Sequence, residues 1–190
     1  MGDVKWSDCK RIAKGELGYT ESGNNWTKYA RDLDAINYFN GPKQNVAWCG
    51  TYVAWVIWKA SNPDPKGTAL AAQYQPTKDN CGCGVSFNAG YYKKKGKFFK
   101  EPKEGDVFFT KDYQHMGFVD RVNSDGSFVT NEGNHNNKVD SIIRKVSDME
   151  GFGRPWYTAE DPEPEKEVNI TINVKAPDDV KVNVNVVKEK

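Results

Sequence analysis

An α+β domain is what this sequence predicts: helices packed on an antiparallel sheet, followed by a short C-terminal β-hairpin. Three observations predict it. Apolar residues recur at helical spacing through the first half of the chain. From Gly105 onward the pattern shortens to strand-like runs separated by turn signals. Beyond an acidic, proline-containing stretch, the residues from 168 onward alternate strictly between apolar and polar. With 190 residues the chain has room for one ordinary domain and an appendage, and 37% hydrophobic and 13% aromatic residues are enough to fill a core. Disorder throughout is excluded.

Trp6, Cys9, Ile12, Ala13 and Leu17 mark a first amphipathic helix, capped by Asp3 or Ser7 and ending near Gly18. In SGNNWTKYARDLDAI, Asn24 or Asn25 is the expected cap of a second helix, with Trp26, Tyr29, Ala30, Leu33 and Ile36 as its core stripe. VAWCGTYVAWVIWKA is apolar on nearly every side, too long for a typical strand and too short to span a bilayer, so it reads as a buried central helix. Residues 61–80 are loop-rich around a helical patch at TALAAQYQ, and SFNAGYYKKKG suggests a helix with a solvated lysine face. DVFFT, HMGFVDRV, SFVTNE and KVDSIIRKV then give three or four antiparallel strands, the domain closing near FGRPWY. Residues 1–158 form this domain, 159–167 an acidic linker and 168–190 the hairpin tail.

Charge removes some function classes. Lys plus Arg number 27 against 26 Asp plus Glu, so no global field attracts nucleic acid or an anionic membrane. The opening residues are polar, with no signal-like apolar run, so synthesis in the cytoplasm is expected.

Four cysteines are too few for a disulfide scaffold in a domain of this size. They differ in position. Cys49 falls where QNVAW enters the central helix, and the unpaired amides of that first turn favour the nucleophilic thiolate. A buried hydrophobe beside Trp48 is the plainer reading of the same residue. A cysteine nucleophile needs a base, and the chain has two histidines. His115 opens a strand after a loop, whereas His135 sits in the polar turn GNHNN and is expected to face solvent. Glu132 and Asn134 end the next strand. A hairpin turning at Ser124, Asp125 and Gly126 returns the Glu132 end beside His115, where a carboxylate would orient the imidazole. Trp48, Trp55 and Tyr113 are candidates for a groove lining as well as for core.

Cys81-Gly82-Cys83 invites a zinc reading completed by Cys9 and a histidine. One intervening residue is tighter than structural zinc pairs use, and no second knuckle exists, so a plain loop or a redox-sensitive thiol pair is preferred.

In their order, AWCGTYVAWV, EGDVFFT, QHMGFVDRV and VTNEGN resemble a CHAP domain, the cysteine- and histidine-dependent amidohydrolase/peptidase family. GELGYTESGNNWTKYARDLDAINYFNG, FNAGYYKKKGKFF and GFGRPWY are similar to bacteriophage endolysins and related autolysins of Gram-positive hosts, and the similarity covers about residues 5–157. The resemblance implies a papain-like α+β fold that cleaves amide bonds of bacterial peptidoglycan, either at the sugar-to-peptide link or within the stem or cross-bridge. By position it implies Cys49 as nucleophile, His115 as base, Glu132 as orienting residue and Asn134 as a nearby polar partner. Backbone amides at Cys49 would form part of the oxyanion hole, with Gln44 as a further candidate. Some endolysins carry calcium just before the nucleophile, but GPKQNVAWC offers no carboxylate there, so no metal and no cofactor are expected. Action on a small amide or a protein isopeptide bond is the alternative. Residues 1–190 leave no room for the large wall-binding domain that the resemblance would imply, and the hairpin is expected either to bind the wall or to pair with copies of itself into a homo-oligomer.

Overall fold

The computed structural model describes residues 3–161. The chain divides into two units, residues 1–160 and 161–190, and the fold described below is that of the first. The expected hairpin over 168–187 lies outside the described residues.

Five α-helices come first in the chain: α1 (Trp6–Gly15), α2 (Lys28–Ala35), α3 (Cys49–Ala60), α4 (Pro65–Ala72) and α5 (Val85–Lys94). Seven strands follow: β1 (Phe98–Phe99), β2 (Val107–Thr110), β3 (Met116–Val122), β4 (Phe128–His135), β5 (Lys138–Asp140), β6 (Ile143–Arg144) and β7 (Met149–Gly153). They form one antiparallel sheet in the order β1-β7-β2-β3-β4-β5, with β6 also pairing with β4. The fold is the α+β arrangement expected. No helix among the described residues is long and apolar enough to cross a membrane.

The central helix α3 organises the core because it is apolar nearly all round. Every residue from Cys49 to Ile57 is buried. Tyr29 of α2 meets Trp48, Tyr52 and Trp55 at ring-centroid distances of 4.9 to 5.5 Å. Tyr52 donates to Asn131 Oδ1 at 2.6 Å, and Asn131 Nδ2 donates to the Ala13 carbonyl at 3.0 Å, so one polar node ties α3, β4 and α1. Residues alternate across β3 and β4. Met116 and Phe118 join the core around α3, while Val119 and Phe128 pack with Phe108, Met149 and Phe152 in a smaller cluster.

Several expectations shift in detail. Thr27 caps α2 by accepting from the Ala30 amide at 3.1 Å, and Asn24 and Asn25 instead take left-handed backbone in the preceding turn, with φ of 50° and 58°. Trp26 and Leu17, placed on core stripes by spacing, are exposed because each helix is shorter than its apolar pattern. KVDSIIRKV is two short strands, since Ser141 and Ile142 break the ladder where the Thr130 amide reaches the Ile142 carbonyl at 2.9 Å. The FGRPWY end contributes its Phe and Gly to β7, an interior strand held between β1 and β2.

Candidate active site

Cys49 is the first residue of α3, so its backbone amide has no helical partner and faces the mouth of the turn. Neighbouring backbone comes very close there. A Cβ on Gly50 would lie 2.1 Å from the Cys83 carbonyl oxygen, so only glycine lets the 81–84 loop rest on the start of the helix. Cys49 and Cys83 both line a cleft of 390 Å³ with Pro42, Lys43, Val46, Ala47, Tyr113 and Gln114. A larger groove of 540 Å³ around Tyr38, Asn40, Lys66 and Asp79 adjoins it through Pro42 but contains no nucleophile.

His115 immediately precedes β3. Its amide donates to Thr110 Oγ1 at 3.0 Å and its carbonyl accepts from the Thr110 amide at 3.1 Å, which fixes the loop between β2 and β3. One ring nitrogen, Nε2, lies 2.6 Å from Glu132 Oε2, and the Cys49 side chain acts on the same ring. The hairpin of β3 and β4 makes this possible by pairing Phe118 with Asn131, which brings Glu132 back beside the start of β3. Burial works against a charged imidazole, but its interactions with Cys49 and with the Glu132 carboxylate, which accepts from the ring, outweigh it and raise the His115 pKa to about 9.

Glu132 is fully buried. Burial alone would push its carboxyl up. His115, Arg144 and Thr130 instead hold the ionised form, with the pKa lowered to about 2. Arg144 Nε donates to Oε1 at 2.9 Å and Nη2 to Oε2 at 2.6 Å, and the Thr130 hydroxyl donates to Oε1. Arg144 and Thr130 were not singled out from sequence. Arg144 sits inside an apolar strand pattern, and the signal that points to it is the need of a buried carboxylate for a fixed cation.

The other candidates fall elsewhere. Asn134 occupies left-handed backbone, with φ of 61°, where the register of β4 against β5 shifts, and its amide points to Asn25 Oδ1 at 3.5 Å, not to His115. Gln44 grips the Thr27 backbone, accepting from its amide at 3.0 Å and donating to its carbonyl at 2.9 Å, which commits the carboxamide to the start of α2. His135 is not free in solvent: its Nδ1 pairs with Asp140 at 3.1 Å. Trp48 and Trp55 are core, and Tyr113 alone of the three aromatics lines the cleft. Burial raises the thiol pKa of Cys9, Cys81 (to about 12) and Cys83, which makes them poor nucleophiles. Among the described residues no three His, Cys, Asp or Glu side chains gather as a metal site.

The sequence model of the CHAP domain matches residues 38–134, just over half of the chain. The protein belongs to the CHAP domain family. Membership makes it a cysteine- and histidine-dependent hydrolase of the amidohydrolase/peptidase kind, and the CHAP match spans Cys49, His115 and Glu132. No curated protein and no solved structure matches the chain.

Proposed function

We propose that this CHAP protein is a peptidoglycan hydrolase of the endolysin or autolysin kind, with Cys49 as nucleophile, His115 as proton carrier and Glu132 as the group that orients it. The observation that supports this most directly is the His115 ring held between Cys49 and a buried, ionised Glu132 at an open cleft. A second groove adjoining through Pro42 suits a substrate that continues past the scissile bond, as a wall polymer does.

At neutral pH His115 carries a proton, consistent with its raised pKa, and lies beside the Cys49 sulfur. The sulfur attacks the amide carbonyl carbon, a C–S bond forms, and the carbonyl electrons move to oxygen, where the Cys49 backbone N–H in the first turn of α3 stabilises them. As the tetrahedral species collapses the C–N bond breaks, and His115 gives its proton to the departing amine. Neutral His115 then takes a proton from water, hydroxide attacks the thioester, and the carboxylic product leaves with Cys49 as thiolate and His115 protonated again.

Digestion of purified Gram-positive cell walls tests this. Loss of turbidity with release of new amino groups by the wild type, and neither with Cys49→Ala, is the expected result, and mass spectrometry of the fragments assigns the bond as sugar-to-peptide or peptide-to-peptide. Walls left intact while a small amide is cleaved would replace this reading with that of an amidase or isopeptidase.

A further inference from the structure

Arg144 touches the centre of the site without a part in any bond-making step. Its two-point clasp fixes the plane of the Glu132 carboxylate. The guanidinium lies 5.2 Å from the Phe108 ring centroid, and the His115 ring meets the same Phe108 at 5.9 Å, so one aromatic side chain supports both cations. Arg144 Nη2 and His115 Nε2 share the same oxygen, Glu132 Oε2, each at 2.6 Å.

The sharing matters because the two cations differ in permanence. A carboxylate with no exposed surface persists only when paired. His115 must lose its proton once in each turnover. Were His115 the sole partner, every loss would strand a buried anion, and that anion would hold the proton back on the imidazole. Arg144 never gives up its charge.

We propose that Arg144 is a positioning residue that keeps the Glu132 carboxylate compensated while His115 is neutral, so that His115 releases its proton to the leaving amine. The inference rests on the reading of Cys49, His115 and Glu132 as the catalytic group. The charged groups around this cluster are His115 from the loop entering β3 and Arg144 from β6, with Cys49 of α3 acting on the imidazole and Asp112 of the β2–β3 loop acting on His115 from the surface.

Arg144→Met keeps an unbranched stem and removes the charge, and Arg144→Lys keeps a charge without the fork. With two histidines in the chain, the His115 ring can be followed by NMR titration, and His135 serves as an internal control. His115 should titrate about one pH unit higher in Arg144→Met than in wild type, with Arg144→Lys between and His135 unmoved. Turnover on soluble wall fragments should fall roughly ten- to a hundred-fold in kcat with KM little changed, and Arg144→Lys should recover part of it. In a Glu132→Gln background, Arg144→Met should cost nothing further, because its effect passes through the carboxylate. Should Arg144→Met fail to fold, Arg144→Lys carries the same comparison with a smaller shift.

An unmoved His115 titration, or losses that add fully in the double variant, would overturn the proposal. If that happens while Cys49→Ala is inactive, this inference alone falls. A fully active Cys49→Ala would remove the catalytic reading and this inference with it, and the titration, read on resting protein, tells the two failures apart.

Discussion

His115 answers to two groups, Glu132 at its Nε2 and Cys49, and this division of labour sets what single substitutions should do. Cys49→Ala should abolish wall lysis with the fold intact by circular dichroism, whereas replacing Cys9, Cys81 or Cys83 should leave lysis in place. His115→Ala should be nearly inactive, His135→Ala near wild type and Glu132→Gln between them, as turbidity assays would read. The pH dependence follows from the two shifted groups. Activity should decline as pH rises through about 9, where His115 loses its proton. For stability, the raised His115 contributes fully below its ordinary value of roughly 6.5 and that contribution is lost through about 9, whereas the lowered Glu132 contributes above its ordinary value of roughly 4.3 and is lost as pH falls toward about 2. Thermal melts across pH should therefore peak between those two windows. Cys49, His115 and Glu132 were legible in sequence because a helix start, a strand start and a hairpin end are local signals. Arg144 was not, since its link to Glu132 depends on how β6 lies along β4. Asn134 and Gln44 misled for a related reason: position along the chain says nothing of a left-handed residue that turns one amide to Asn25, or of a backbone at Thr27 that claims the other.

Among the elements, α3 and the sheet edge show where local pattern suffices and where it does not. A run apolar on every face had to be central, and α3 is. The strands β2, β3 and β4 were visible as β-branched and aromatic runs between turns, but β1 is two residues long and β7 includes two glycines, which removes the side-chain signal. Gly133 on β4 has a packing role, since a Cβ there would meet Tyr52 Cβ at 2.5 Å and Trp48 Cζ3 at 2.8 Å. Gly50 is tighter still. Gly50→Ala should force the Cys83 loop away from α3, lowering both the melting temperature and kcat, because the displaced segments carry Cys49 and the cleft wall. Thr27→Ala, by contrast, removes only a helix cap and should cost about 1 kcal/mol in denaturant unfolding with activity retained.

At the scale of the whole molecule, residues 161–190 separate from the rest as a unit, and from their alternating valines and isoleucines in the sequence we propose pairing between copies. Light scattering should show self-association for the full chain and a monomer for a chain ending at Asp161. A full chain that is monomeric at micromolar concentration would remove that role from the tail. The shorter chain should still cleave soluble wall fragments, since Cys49, His115, Glu132 and Arg144 all belong to the first unit.

The place of β7 has a consequence for how the protein is born. Among the described residues it is the last strand in chain order, yet it lies between β1 and β2, hydrogen-bonded on both sides. Until residue 153 has left the ribosome, β1 has no sheet to join and β2 is an open edge. Arg154, just beyond, then closes on Asp106 through paired bonds of 2.9 Å. Synthesis from the amino end makes the β1–β7–β2 side of the sheet the last part to close. A nascent chain that already contains Cys49, His115 and Glu132 can pair β2, β3 and β4 but still lacks the strand that joins β1 to them, so the emerging sheet presents a bare β2 edge until β7 arrives.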